Sequence, residues 1–359
     1  MRDLQTGAAE RVSEDSAGGQ ADDGSEAPTI SGDGRFVAFV SAANNLVPGD
    51  TNGENDVFVH DLQAGTTERV SVGSDGGQAN GDSEALATSS DGCYVAFVSA
   101  ASNLVPDDTN SENDVFVHDL QAGTTERVSV DSAGGQANGR SDAPAISADG
   151  RFVAFASLAT NLVAGDTNGQ GDVFVHDRWT GSTERVSVDG RGNQADGSSD
   201  RPAISGDGRF VAFESDARNL VADDTNRRQD VFVRDREAGT MERVSVNSAG
   251  SQTNSGGSNP AISGDGRIVA FQAGQGNLVP GDTNRFLDVF VHDRQTGSTE
   301  RLSVNNAGDQ GNDHSGSPTI SDDGCLVAFW SWATNLVPVE AKQQIVVVRD
   351  RHTIDANGP

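Results

Sequence analysis

The feature that most constrains this chain is a repeat. The stretch DTNGENDVFVHD at residues 50–61 returns in close copies at Asp108, Asp166, Asp224 and Asp282, at intervals of 58 residues. A fixed period of this length marks a stack of supersecondary units, each of which buries its apolar faces only against its neighbours. The 359 residues are therefore to be divided by the repeat and not by an average domain size.

One unit reads APTIS (27–31), RFVAFVS (35–41), DVFVHD (56–61) and TTERVSV (66–72), four short strands A to D separated by Gly-, Asp- and Asn-rich turns. The Asp-Gly pair between A and B, first at Asp33, recurs six times at the same spacing and signals a tight hairpin. In RFVAFVS both alternating sets are apolar, Phe36, Ala38 and Val40 on one side, Val37 and Phe39 on the other. A strand of that kind is covered on both faces. Four-stranded sheets sandwiched between like sheets and repeated radially make an all-β, six-bladed β-propeller of antiparallel blades. The ends fit the same scheme. Residues 2–13 match the end of a unit (compare residues 60–71), whereas the last unit stops after its third strand. Residues 1–14 are thus expected to complete the sixth blade and close one ring over residues 1–359, leaving no open sheet edge. An open solenoid is the alternative. The start in mid-repeat also suggests a piece of a longer, secreted chain.

Acidic residues outnumber basic ones 54 to 25, for a net charge of −29. That balance excludes nucleic-acid and anionic-membrane partners, which need clustered positive charge. No apolar run approaches the roughly 18 residues of a membrane span, and MRDLQTG has no signal-peptide core. Cys93 and Cys325 share one repeat position in non-adjacent units, so two free thiols are expected, in a monomer.

The loop D-T-N-x-x-x-D places oxygens at positions 1, 3 and 7, the odd spacing by which a curling loop aims alternate groups at one cation. The candidate metal ligands are Asp50, Asn52 and Asp56; Asp108, Asn110 and Asp114; Asp166, Asn168 and Asp172; Asp224, Asn226 and Asp230; and Asp282, Asn284 and Asp288. Oxygen-only ligation points to Ca²⁺, up to five ions, and away from zinc or copper. In the other reading, Asp50 and Asn52 make turn hydrogen bonds and Asp56 caps a strand. The sixth copy, V-E-A-K-Q-Q-I, loses every ligand. His60, His118, His176 and His292 share a position with Arg234 and Arg349, and are expected to be solvated strand ends. The arginines at 11, 69, 127, 185, 243 and 301 read as structural partners. The Asn-Leu-Val triplets and the glutamines at 20, 78, 136, 194, 252 and 310 read as loop anchors.

A catalytic or ligand site has to break the sixfold pattern. The departures are Glu214, Asp216, Arg218, Phe286, His314, Trp330 and Trp332, all in units four to six. The tryptophans suit stacking on a sugar or anchoring a protein. The other account of them is drift plus packing at the last blade.

The recurring I-S-x-D-G-R-x-V-A-F, D-V-F-V-x-D and T-G-x-x-E-R-V-S segments resemble the WD40-like propeller repeats of the TolB type, over the whole chain. That resemblance implies a bladed ring, commonly in bacterial envelope or secreted proteins, whose members range from partner-binding proteins to propellers attached to hydrolases. The sequence therefore reads as a calcium-loaded, non-catalytic scaffold or binding module for a protein or glycan partner. The alternative is a hydrolase or lyase acting on a glycan or ester through the irregular loops of units four to six.

Overall fold

The structure is a computed structural model that describes residues 1, 3, 6–337 and 343–351. The sixth-copy loop and the C-terminal RHTIDANGP largely lie outside the described residues. Blade 1 consists of β1 (Ser25–Ile30), β2 (Phe36–Ser41), β3 (Asp56–Asp61) and β4 (Thr66–Arg69). Blade 2 is β5 (Ser83–Thr88), β6 (Tyr94–Ser99), β7 (Asp114–Asp119) and β8 (Thr124–Arg127). Blade 3 is β9 (Ser141–Ile146), β10 (Phe152–Ser157), β11 (Asp172–Asp177) and β12 (Ser182–Arg185). Blade 4 is β13 (Ser199–Ile204), β14 (Phe210–Ser215), β15 (Asp230–Asp235) and β16 (Thr240–Arg243). Blade 5 is β17 (Ser258–Ile262), β18 (Ile268–Ala273), β19 (Asp288–Asp293) and β20 (Ser298–Arg301). Blade 6 holds β21 (Ser315–Ile320), β22 (Leu326–Ser331) and β23 (Ile345–Asp350). Each sheet runs in sequence order, and the fold is an all-β six-bladed β-propeller.

The chain divides into two compact units, Met1–Gly165 with His176–Glu184, and Asp166–Val175 with Arg185–Pro359. In the first, Val57 and Val59 of blade 1 pack on Val95, Phe97 and Phe116 of blade 2. In the second, Val231 and Val233 of blade 4 meet Phe271 and Phe290 of blade 5, and Val289 and Val291 meet Phe329 and Val347 of blade 6. The two-faced apolar strands are covered as their sequence requires. Cross-strand partners Phe39 and Phe58 stack with centroids 5.8 Å apart, as do Phe97 and Phe116 at 5.8 Å and Phe271 and Phe290 at 6.0 Å. Such pairs contribute about 0.5–1.5 kcal/mol beyond their buried area.

Turn chemistry follows the sequence. Asp33 Oδ1 accepts from the Ser31 hydroxyl and the Arg35 N–H, and Gly34 takes φ 74°. Strand D stops at Arg69, three residues short of the expected end. Ser71 turns inward to donate to Asp56 Oδ1 (2.5 Å) and to accept from Val57 N–H (3.1 Å).

Every first strand carries a bulge, at its third residue in blades 1–4 and 6 and at its second in blade 5. Ala27, Ala85, Ala143, Arg201, Asn259 and Ser317 have φ between 45° and 51°, left-handed conformations that cost non-glycine residues about 1–3 kcal/mol each.

Two features set the ends of the chain apart. Met1 and Asp3 pair with the segment just after them, Asp3 N–H donating to Ala8 O (2.9 Å) and Glu10 N–H to Met1 O (3.0 Å). In blade 6, Val346 and Val348 are 75% and 40% exposed, whereas the matching valines of blades 1–5 are at most 1% exposed.

Candidate functional site

Each D-T-N-x-x-x-D loop ends in a fully buried aspartate, Asp56, Asp114, Asp172, Asp230 or Asp288. In blade 1, Asp56 opens β3 and is fully buried. The Gln78 amide donates to Asp50 Oδ1 (2.7 Å) and Asp56 Oδ2 (3.1 Å). Arg69, at the end of β4, places Nη1 3.4 Å from Asp50 and 3.5 Å from Asp56. Asn52 accepts from Glu54 N–H (3.1 Å) and donates to Ala79 O (2.9 Å), a turn that ties the loop to the segment leading into blade 2. That segment is gripped from the far side by Asn103, whose amide donates to Gln78 O (2.8 Å). Leu104 beside it is buried.

The same arrangement recurs in the next three copies. Arg127 faces Asp108 (3.3 Å) and Asp114 (3.5 Å), Arg185 faces Asp166 and Asp172, and Arg243 faces Asp224 (3.5 Å). Gln136, Gln194 and Gln252 each donate to the first aspartate at 2.8 Å. Asn110 and Asn226 donate to the second, Asp114 and Asp230. In the fifth copy Arg301 lies 3.3 Å from Asp282 and 3.6 Å from Asp288, and Gln310 turns its carbonyl to Arg301 (3.0 Å). Asn284 and Ser303 donate to Asp288. We call each arrangement a latch, because it joins the B–C loop and D strand of one blade to the linker of the next.

The positive charge beside each aspartate pair is thus a guanidinium. A Ca²⁺ ion at these oxygens needs that arginine to move and the asparagine to turn its oxygen away from the backbone. Among the described residues no three His, Cys, Asp or Glu side chains converge in a metal-holding group. Of the arginines and glutamines read as partners and anchors, Arg69, Arg127, Arg185, Arg243 and Arg301 neutralise the pairs and Gln78, Gln136, Gln194 and Gln252 bridge them, whereas Arg11 donates to Gln20 (3.1 Å). Burial pushes one carboxyl of each pair up, at Asp56, Asp108, Asp166, Asp230 and Asp288.

The repeated histidines differ from expectation. They are buried strand residues and not solvated ends. His60 Nδ1 meets the Thr67 hydroxyl (2.9 Å), which itself donates to Glu14 O, so the ring proton sits on Nδ1. The polar partners let the imidazole be sheltered, and burial pushes His118, His176 and His292 down. In blade 4, where Met241 replaces the threonine, Arg234 instead donates to Asp189 O and Gly239 O, both at 3.1 Å. The repeat pattern held this signal, since the histidine and the threonine are lost together.

The departures from sixfold regularity separate into two groups. Glu214 lies inside the junction of blades 4 and 5. Its carboxylate accepts from Asn259 N–H (2.7 Å) and Gln229 (3.3 Å), with Arg201 Nε at 3.4 Å, and burial pushes its carboxyl up. The equivalent Gln272 accepts from Ser317 N–H (2.9 Å). Both side chains therefore satisfy the strained bulge of the following blade. Asp216 and Arg218 are exposed beyond β14.

The second group gathers at blades 5 and 6. Phe286 meets His314 edge-on with ring centroids 5.0 Å apart. His314 Nδ1 accepts from Leu287 N–H (2.9 Å), and its carbonyl accepts from Trp332 N–H (2.9 Å). Trp332 is 39% exposed. Trp330 is half-buried on β22 opposite Gly316, where a side chain would strike Gln272 and the indole. Neither Cys93 nor Cys325 forms a disulfide.

No protein-family model matches the chain, and no curated protein matches it. Solved structures do. The β-propeller domain of the Trilobed protease from Pyrococcus furiosus, described as having an open velcro topology, is similar over 92% of this chain and 82% of its own (TM-score 0.55, 12% identity). An oligogalacturonate lyase in complex with manganese is similar over 88% of this chain and 74% of its own (TM-score 0.54, 12% identity). TolB from Acinetobacter baumannii is similar over 83% of this chain (TM-score 0.47, 17% identity), and the chain spans 58% of that protein. At these identities the likeness shows the fold. Among the described residues no helix is long and apolar enough to cross a membrane.

Proposed function

We propose that this chain is a non-catalytic binding module whose protein or glycan partner meets the surface around Trp332 at blades 5 and 6. One observation carries the reading. At the repeat position that holds Ala42 and Ala100 in the first two blades, blade 6 exposes an indole, on a residue whose backbone N–H donates to the carbonyl of His314, a histidine of fixed tautomer. Because His314 Nδ1 accepts a backbone proton, the neutral ring carries its own proton on Nε2, a donor with no hydrogen-bond partner among the described residues. An aromatic face next to a polar donor is the surface that sugar rings and protein anchors both use. The opposing reading, a hydrolase or lyase, would use Glu214 as its acid, yet both oxygens of that carboxylate are engaged in the junction.

The test is a panel of glycans and candidate partner proteins titrated against intrinsic fluorescence. For a ligand found with the parent protein, Trp332→Ala is expected to weaken affinity about tenfold, the loss of roughly 1.4 kcal/mol. His314→Phe, which keeps the ring but removes the donor, is expected to weaken it less. Affinity unchanged within a factor of two in Trp332→Ala would remove this surface from the site.

A further inference from the structure

Blade 3 departs from the repeat at the turn after β11. The position held by Gln63, Gln121, Glu237 and Gln295 in blades 1, 2, 4 and 5 is Trp179, and this residue is 69% exposed. The indole is nevertheless held in place. Trp179 N–H donates to Asp177 Oδ1 (3.0 Å), and the same carboxylate accepts from Arg151 Nε (3.0 Å) and Nη2 (2.7 Å). The guanidinium so fixed lies over the Phe152 ring at 4.5 Å and over the Trp179 ring at 4.7 Å. Blades 1 and 4 stack the equivalent arginine, Arg35 or Arg209, on Phe36 or Phe210 without any second ring. Trp179 therefore adds an outer layer to a stack that is complete without it. A rigid aromatic side chain gives up little freedom on binding, and tryptophan is enriched among the residues that dominate interfaces. The ground beneath it is acidic. Arg151 stands in the field of both Asp177 and Asp149, and Arg178 is paired with Glu126, so three carboxylates meet two guanidiniums. Asp149 is exposed and accepts its turn hydrogen bonds, from the Ser147 hydroxyl (2.8 Å) and Arg151 N–H (3.0 Å), through Oδ1.

We propose that Trp179 is a docking ledge for a basic peptide segment, whose arginine or lysine stacks on the open face of the indole while Asp149 meets its charge. The class of partner follows from what the ledge offers. A cation is drawn to the face of an indole by the ring quadrupole, and Arg151 lies over one face only. The net charge of −29 steers a cationic segment in and keeps an anionic one away. A sugar needs polar groups beside the ring to fix its orientation, and here the Asp177 carboxylate and the Arg151 guanidinium are already committed to each other. The ledge lies within the first compact unit and shares no residue with the surface around Trp332, so it is a second binding surface.

The experiment titrates a dye-labelled tri-arginine amide with the full chain and follows its fluorescence anisotropy. Trp179→Gln installs the residue that blades 1, 2 and 5 carry at this position, so the turn keeps a side chain it is known to accept. The variant is expected to bind the peptide roughly two- to fivefold more weakly, the worth of one exposed cation–π contact. Trp179→Phe, which keeps an aromatic face, is expected to recover part of that loss. Equal affinity in the parent and Trp179→Gln would overturn the proposal, because charge alone would then attract the peptide. So would the absence of peptide binding to the parent. A neutral glucan oligosaccharide that binds the parent more tightly than the peptide, and is lost in Trp179→Gln, would overturn it in favour of a sugar platform. None of these readings depends on Trp332, so the proposal can fail while that surface stands.

Discussion

The latch arginines are the most informative residues to remove, and Arg127→Met is the cleanest case. Its guanidinium lies 3.3 Å from Asp108 and 3.5 Å from Asp114, and all three side chains are at most 9% exposed. Each contact is worth about 5 kcal/mol at an effective dielectric of 20. Relief of the desolvation of Arg127 returns much of that. Breaking a buried pair from one side typically costs a net ~3–5 kcal/mol, because the partner charge stays behind. Unfolding entropy is about 2.1 cal/mol/K per residue, so a loss of about 4 kcal/mol lowers the melting temperature by roughly 5 °C if all 359 residues melt together. It lowers it by roughly 11 °C if the first compact unit, about 170 residues, melts alone. Thermal unfolding at pH 7 by circular dichroism reads the shift. Repeating the substitution in an Asp108→Asn, Asp114→Asn background should remove most of it, since no charge is then stranded. A shift below 2 °C in the single variant would mean that the guanidinium does no more than a surface ion pair, and the electrostatic account of the latch would fall.

Arg35 grips Asp61 through two bonds, Nε to Oδ1 at 3.0 Å and Nη2 to Oδ2 at 2.5 Å, and holds its carboxyl down at about 2. Stability from this clamp is present above about 3.8 and lost as pH falls toward 2. Arg35→Ser is therefore expected to lower the stability slightly at pH 7 and to leave it unchanged at pH 2; an equal cost at both would refute it. Phe97→Ala, in a fully buried stacked pair, is expected to cost about 3–5 kcal/mol in urea unfolding, and a loss under 1 kcal/mol would contradict the packing described. The assignment of residues 1–14 to the sixth blade is a proposal with a simple test. Deleting residues 1–12, which spares the Glu14 and Ser16 contacts to Thr67, should lower the melting temperature or cause aggregation. An unchanged melt would reject the assignment.

The blades were legible because their signals are local. Alternating apolar residues in RFVAFVS and the Asp-Gly turn fix strand and hairpin within ten residues of each other. The latch was legible only in pieces. Asp50, Asn52 and Asp56 stood out as one motif, and their odd spacing suits a cation as well as a turn. What decides the local charge is Arg69, 19 residues after Asp50, brought in by the pairing of Phe58 with Arg69 across β3 and β4. Gln78 arrives from still farther, on the linker to the next blade. Partners supplied by strand register and by a neighbouring blade cannot be assigned from loop spacing. Nor can Glu214 be told from a catalytic acid, because the Asn259 amide it caps is exposed to it only through a bulge 45 residues away.

The latch also says where one module ends and the next begins. Its carboxylates and arginine belong to one blade, whereas its glutamine and the asparagine that grips it belong to the next. Cutting the chain between strands D and A, the natural-looking seam, splits every latch in two. A gain or loss of one 58-residue period at any point leaves the joint whole, because the remaining halves are interchangeable. Duplication could therefore change the number of blades without inventing a new interface, and a consensus library cut anywhere in the period inherits the same freedom.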